Sequence, residues 1–135
     1  MNHSLMIAVL PDYLQSIAKL GSGTASWPLN SIPLVIEAYR QAGMINRGGD
    51  LQIIVDDRAW ESPNFGVWVF DSDLIEPDPR KRPDEAAGVA LSKLAGLDHE
   101  AMREEVLAGC PFFTESAFEI NRAALRLTWR AEPIG

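Results

Sequence analysis

Leu51-Gln52-Ile53-Ile54-Val55 and Gly66-Val67-Trp68-Val69-Phe70 are the two stretches on which the fold turns. The first is rich in β-branched residues and the second is apolar on both faces, so each reads as a strand. Between them lie ten residues containing Ser62-Pro63-Asn64, which read as a loop rather than a tight hairpin turn. Strands adjacent in sequence tend to be neighbours in a sheet, so an antiparallel pair is expected. Apolar faces on both sides call for cover on both sides, and helices must supply it.

The flanking sequence holds those helices. Upstream, Met6, Val9, Leu10, Tyr13, Leu14, Ile17 and Leu20 fall at helical spacing and Gly21 supplies a stop. Pro11 interrupts the pattern, so the spacing predicts a helix over at least Pro11 to Leu20. A short strand before it, over Leu5 to Leu10, is the alternative. Gly21-Ser22-Gly23-Thr24 reads as a turn, with Trp27-Pro28 anchoring the return. Ser31 is placed to cap a helix with the apolar face Ile32, Val35, Ile36 and Tyr39, ended by Gly43. Asn46-Arg47-Gly48-Gly49-Asp50 reads as a turn. Short edge strands could also hide in residues 1 to 10 or 24 to 30.

Downstream, Pro77 to Pro83 is a break, and Pro83 or Asp84 opens a helix through about Leu94. Gly96 ends it, and Asp98 caps another through about Ala108. Thr114 is placed to cap a last helix. There Phe113, Ala117, Ile120, Ala124 and Leu127 repeat at three and four, flanked by Phe118, Leu125 and Trp129. Glu115 and Glu119 precede Arg122, Arg126 and Arg130, an order that suits the helix dipole and reads as a solvated face. The expected class is therefore α+β: a small sheet with about five helices packed around it, in a single domain over residues 1–135.

The chain has 135 residues, enough for one domain, and 47% of them are apolar, so a core can be buried. The longest apolar runs are far short of a membrane span. Met1-Asn2-His3-Ser4-Leu5-Met6 has no basic region ahead of a long apolar stretch, so no secretory signal is expected. A lone Cys110 suits a reducing compartment and reads as a small buried residue. Together these point to a cytoplasmic protein without membrane attachment.

The net charge of -7 is a local feature. From Asp50 to Asp78 there are eight acids against the single base Arg58, and the rest of the chain is neutral. Such a surface repels nucleic acid. The sequence lacks a phosphate-cradling glycine motif, a Cys-x-x-Cys pair, a His-Glu-x-x-His run and a nucleophile elbow. His3 and His99 each read as surface residues. Asp56, Asp71 and Asp73, at strand ends, are the one group that could hold Mg²⁺ in a hydrolase. Asp71-x-Asp73 does not continue as a calcium loop, since Glu76 and Asp78 fall at the wrong positions. No metal, no cofactor and no catalysis are therefore expected. A cationic protein surface is the better neutralising partner. Trp60 and Phe65 lie within the acidic stretch, and an aromatic among carboxylates suits a hot spot against an Arg/Lys-rich partner. Trp68 and Phe70 read as core.

Leu10-Pro11-Asp12-Tyr13-Leu14, followed by Gly21 and Gly23, resembles the opening of one large superfamily of bacterial immunity proteins. The segment Trp60 to Asp73 is similar to an immunity-protein loop and strand. These antidotes neutralise polymorphic toxins, including those of contact-dependent growth inhibition. The resemblance implies a cytoplasmic and frequently acidic protein that binds a cognate toxin, often a basic nuclease. It carries over no binding residues, because these families block their toxins with different surfaces. From charge and aromatics, the expected contact is Asp56, Asp57, Trp60, Glu61, Phe65, Asp71, Asp73 and Glu76. The rival readings are the Mg²⁺-dependent hydrolase and a structural subunit of a larger complex.

Overall fold

A long antiparallel hairpin organises the protein, and a computed structural model describes residues 7–21, 23–55, 57–111 and 125–134. In chain order the elements are helix α1 (Asp12–Ile17), strands β1 (Lys19–Gly21) and β2 (Thr24–Pro28), and helix α2 (Ile32–Gln41). The long strands β3 (Met44–Val55) and β4 (Arg58–Trp68) follow, then helices α3 (Arg82–Ala95) and α4 (His99–Gly109), then strands β5 (Leu125–Thr128) and β6 (Arg130–Pro133). The class is α+β, as expected.

β3 and β4 pair antiparallel, but further along than the sequence indicates. Asn46 to Asp50 is strand, not turn, and residues 58 to 65 are strand, not loop. The connection closes at Asp57, whose φ of 66° lies in the left-handed region that Asp tolerates better than most residues. The stretch around Ser62-Pro63-Asn64, expected as loop, is instead a bulge within β4. Asp50 pairs with Gly66 and Gln52 with Glu61, so four residues of β4 oppose Leu51. Proline, which lacks an N–H, is tolerated at such a break in the ladder. Glu105 of α4 ties the bulge down, accepting from Ser62 Oγ at 3.2 Å and Asn64 Nδ2 at 2.8 Å.

The other edge of β3 is shared by β5, at Leu51 to Ile53, and β6, at Met44 to Gly48. β2 then pairs β5, and β1 pairs β2 at the edge. Among the described residues this gives six strands in the order β1-β2-β5-β3-β4, with β6 beside β3. Two expectations are corrected here. The first helix ends at Ile17, because Lys19–Gly21 pairs as a strand. Leu125 to Trp129 are not the end of a helix, since β5 and β6 occupy that stretch. The earlier part of that expected helix, Phe113 to Ala124, lies outside the described residues, as do residues 1–6 and Asp56. The strand over Thr24–Pro28 falls where a hidden edge strand was left open.

One sheet face carries Leu51, Ile53, Leu125, Leu127, Val67 and Trp27, all buried. α2 contributes Ile32, Val35, Ile36 and Tyr39 to the same core, and α3 contributes Ala86, Ala87 and Ala90. Ser31 makes no side-chain cap, because a 3-10 turn over Leu29–Ser31 leads into α2. Buried polar groups inside this layer are paired. Asn46 donates to Ile36 O at 3.0 Å and accepts from Trp129 Nε1 at 2.9 Å, which ties α2 to the sheet. Trp27 donates its indole N–H to Leu14 O at 2.7 Å and fixes α1. Among the described residues, no helix is long and apolar enough to cross a membrane.

Candidate functional site

The chain leaves β4 at Trp68 and reaches α3 through a braced acidic segment, residues 69 to 81. Val69 N still bonds Arg47 O at 3.0 Å, and then a 3-10 turn spans Asp71–Asp73. Phe70 N donates to Asp73 Oδ2 at 2.9 Å, so Asp73 closes the turn locally. Lys93 of α3 reaches up beneath it. Its ammonium donates to Trp68 O at 2.6 Å and Asp73 Oδ2 at 2.8 Å, and lies 4.9 Å from the centre of the Phe70 ring. That is a cation–π contact added to two charge-assisted hydrogen bonds. Glu85 then holds the backbone beyond, accepting from Ile75 N at 3.1 Å and Glu76 N at 3.2 Å. Arg82 Nε donates to Glu76 O at 3.2 Å. Asp78 accepts from Arg80 N at 3.0 Å and caps the turn before α3.

This bracing presents two apolar side chains outward among the carboxylates. Phe70 is 57% exposed and Ile75 84% exposed. Asp71 between them has a side chain 92% exposed and is paired at 2.9 Å with Arg47, which also binds Glu132 at 2.6 Å. The Lys93 ammonium and the Phe70 N–H hold the Asp73 carboxyl below its ordinary value, so it stays ionised. Apolar anchors within an acidic, preorganised rim have the make-up of a protein-binding surface, because little ordering entropy remains to be lost on binding.

The residues expected at the contact fall into two groups. Asp71, Asp73 and Glu76 come together on the segment just described. Asp57, Trp60 and Glu61 lie toward the opposite end of the hairpin, whose paired length from Gly48 to Val55 is about 25 Å at roughly 3.3 Å per residue. Asp57 and Glu61 are exposed, while Trp60 is half-buried against Gly109 at the end of α4. Phe65 is also half-buried and packs on the core. Asp56 lies outside the described residues. Phe70, read as core, stands at the surface instead. The signal for that was available: Pro77 and four acids follow it, so the strand had to end near there.

Asp71 and Asp73 do not converge as a metal site would require, since Arg47 takes one and Lys93 the other. Among the described residues, no three carboxylates, histidines or cysteines gather to hold an ion. Cys110 is buried.

A second feature escaped the sequence reading because it depends on β5. The sheet face opposite the core is polar across four strands: Ser26, Thr128 and Asp50 form one rung, and Arg126, Gln52 and Glu61 the next. Arg126 is buried and donates to Ser26 Oγ at 3.0 Å, Ser26 O at 2.8 Å and Ile17 O at 3.0 Å. Burial pushes its pKa down. Gln52 donates to Glu61 Oε1 at 3.0 Å, and its own Oε1 is buried without a partner among the described residues. Comparison with protein-family models, curated proteins and solved structures finds no match to this chain.

Proposed function

We propose that this chain is an immunity protein, which binds a cognate basic toxin domain in the cytoplasm and occludes its active or substrate-binding surface. The observation that carries this reading is the exposure of Phe70 and Ile75 among Asp71, Asp73 and Glu76 on a braced segment. A nuclease toxin must present Arg and Lys to phosphate backbones, and an acidic protein surface competes for that cationic groove. The carboxylates steer and orient the encounter, and the two apolar side chains supply the buried contact. Occlusion asks for no covalent chemistry, no cofactor and no direct contact with nucleic acid. The centre of the contact is residues 70 to 76, with Asp57, Glu61 and Trp60 at most on its rim.

The test is co-expression with the toxin domain encoded beside it, scoring survival and complex formation. Protection together with a stoichiometric complex is expected; neither appearing would sink the reading. The Phe70→Ala/Ile75→Ala double variant should speed dissociation at least tenfold, whereas Asp71→Asn/Glu76→Gln should mainly slow association. Binding that ignores both variants but fails with Asp57→Asn/Glu61→Gln would move the surface to the other end of the hairpin.

A further inference from the structure

Beside the acidic segment, a pocket of about 250 Å³ opens where β3 meets the β5–β6 junction. Its floor is the irregular part of β3. Gly48 has a φ of +93°, and a Cβ there would stand 1.8 Å from Val67 O. The sheet can take this course because the position carries no side chain. Asp50 rises from the next turn of the strand into the pocket wall. Its backbone N–H donates to Thr128 Oγ1 at 2.8 Å, and its Oδ1 accepts from Trp68 Nε1 at 3.0 Å. The indole reaches Asp50 because it lies back over Gly66, where a Cβ would stand 2.6 Å from Cζ2. Asp50 is thereby fixed in place, and its second carboxylate oxygen has no hydrogen-bond partner among the described residues.

Two arginines also line this pocket, and their states differ. The Nε and Nη atoms of Arg47 are committed to Glu132, Asp71 and Val69 O, so its charge is already compensated. Arg130 is exposed at the mouth and makes no side-chain hydrogen bond or ion pair among the described residues. An entering anion would meet an Asp50 that cannot withdraw. An entering cation would meet an Arg130 whose long side chain can swing into water. The pocket therefore favours a cation, and a planar one gains further by stacking on an indole.

We propose that this pocket receives the guanidinium of an arginine side chain, paired to the free oxygen of Asp50 and set against Trp68. The pocket adjoins the Phe70–Glu76 surface through Trp68 and the Arg47–Asp71 pair, so one partner can engage both. That the arginine belongs to a bound protein rests on the function proposed above; the chemistry of the pocket does not.

The experiment uses the free chain and a small probe, N-acetyl-arginine amide, with N-acetyl-glutamine amide and acetate as comparators. The readout is the indole N–H resonance of Trp68, which is bonded to Asp50. A saturable shift with a Kd on the order of 1–10 mM is expected for the arginine probe, with none for the comparators. Asp50→Asn keeps an oxygen for the indole but removes the charge, and should weaken binding at least tenfold. Arg130→Ala, a change at an exposed side chain, should tighten binding by roughly two- to fivefold by removing a like charge. Absence of a shift, a shift unchanged in Asp50→Asn, or weaker binding in Arg130→Ala would each overturn the assignment. Acetate shifting the resonance instead would make it an anion site. None of these results touches the co-expression test, so failure of the pocket and failure of the immunity reading remain separable.

Discussion

Arg126 is the buried charge on which the polar sheet face depends, and truncating it gives a calculable loss. Its guanidinium makes three hydrogen bonds, to Ser26 Oγ, Ser26 O and Ile17 O, between 2.8 and 3.0 Å. Each contributes about 1 kcal/mol net, or about 3 kcal/mol together. The buried aliphatic stem adds about 2 kcal/mol at about 0.8 kcal/mol per methylene. Against these stands the cost of keeping a charge out of water with no carboxylate beside it among the described residues, which is a few kcal/mol. The net expectation for Arg126→Ala is a loss of about 3 kcal/mol, or roughly 10 °C in Tm for a chain of this length. Arg126→Met keeps the stem and removes the charge, so it should lose about half as much. Urea denaturation followed by tryptophan fluorescence measures both. Because Ile17 O ends α1, the Trp27 indole N–H bonded to Leu14 O should also exchange faster with solvent. A loss below about 0.5 kcal/mol in Arg126→Ala would refute the ledger. An Arg126→Met variant more stable than the parent would show that the buried charge outweighs its bonds.

Further outcomes follow from the same geometry. Lys93→Met should raise the Asp73 pKa toward its ordinary 3.8, read by carboxyl NMR. Since the folded value is the lower one, Asp73 contributes stability above pH 3.8 that is lost as pH falls below it, and the variant, which keeps only the Phe70 N–H on this carboxylate, should show a smaller acid-dependent loss. Gly49→Ala would place a Cβ 1.9 Å from Thr128 O, backbone that cannot yield cheaply, so a loss of about 3 kcal/mol or more is expected in denaturant melts. Gly88→Ala, exposed in α3 with open space around its missing Cβ, should instead gain about 1 kcal/mol. Burial raises Tyr39 from 10.0 to about 12. The unfolded chain therefore loses this proton first. Stability should fall between those two pH values by about 1–3 kcal/mol, and denaturation melts at their ends would show it.

The parts of the fold legible in sequence are those whose local signals agree with their tertiary setting. The α4 helix begins where Asp98 announces it, and its carboxylate accepts from Ala101 N at 3.0 Å. Helices α2 and α3 carry apolar faces at helical spacing and bury them. The stretch Leu125 to Trp129 had two periods at once. Leu125, Leu127 and Trp129 alternate as a strand does, while Arg122, Arg126 and Arg130 step by four as a helix face does. Pairing with β2 and β3 decided in favour of the first. Gly48-Gly49 offered a similar choice. Paired glycines mark a turn in isolation, yet they can also mark a bulge where backbones approach, and pairing of Gly48 with Trp68 and Gly49 with Val67 decided for the strand.

The candidate site was half legible for a different physical reason. A sequence places charges along a line, whereas their effect depends on what the fold sets against them. The acids from Asp50 to Asp78 look unopposed because Arg47 precedes them and Arg80 and Lys93 come after them. Folding brings Arg47 to Asp71, Lys93 to Asp73 and Arg80 to Asp78. The field at that end of the hairpin is accordingly weaker than the count of acids suggests, and charge by itself cannot hold a partner there. What remains distinctive is the apolar pair: Lys93 is spent on securing Phe70 and Asp73, and Glu85 on securing the backbone at Ile75, with both hydrophobic side chains left in water. Such bracing does not bury the side chains it positions, so their exposure is not explained by the core. Under the proposed function, recognition would rest first on Phe70 and Ile75, with the carboxylates setting the approach and orientation of the partner.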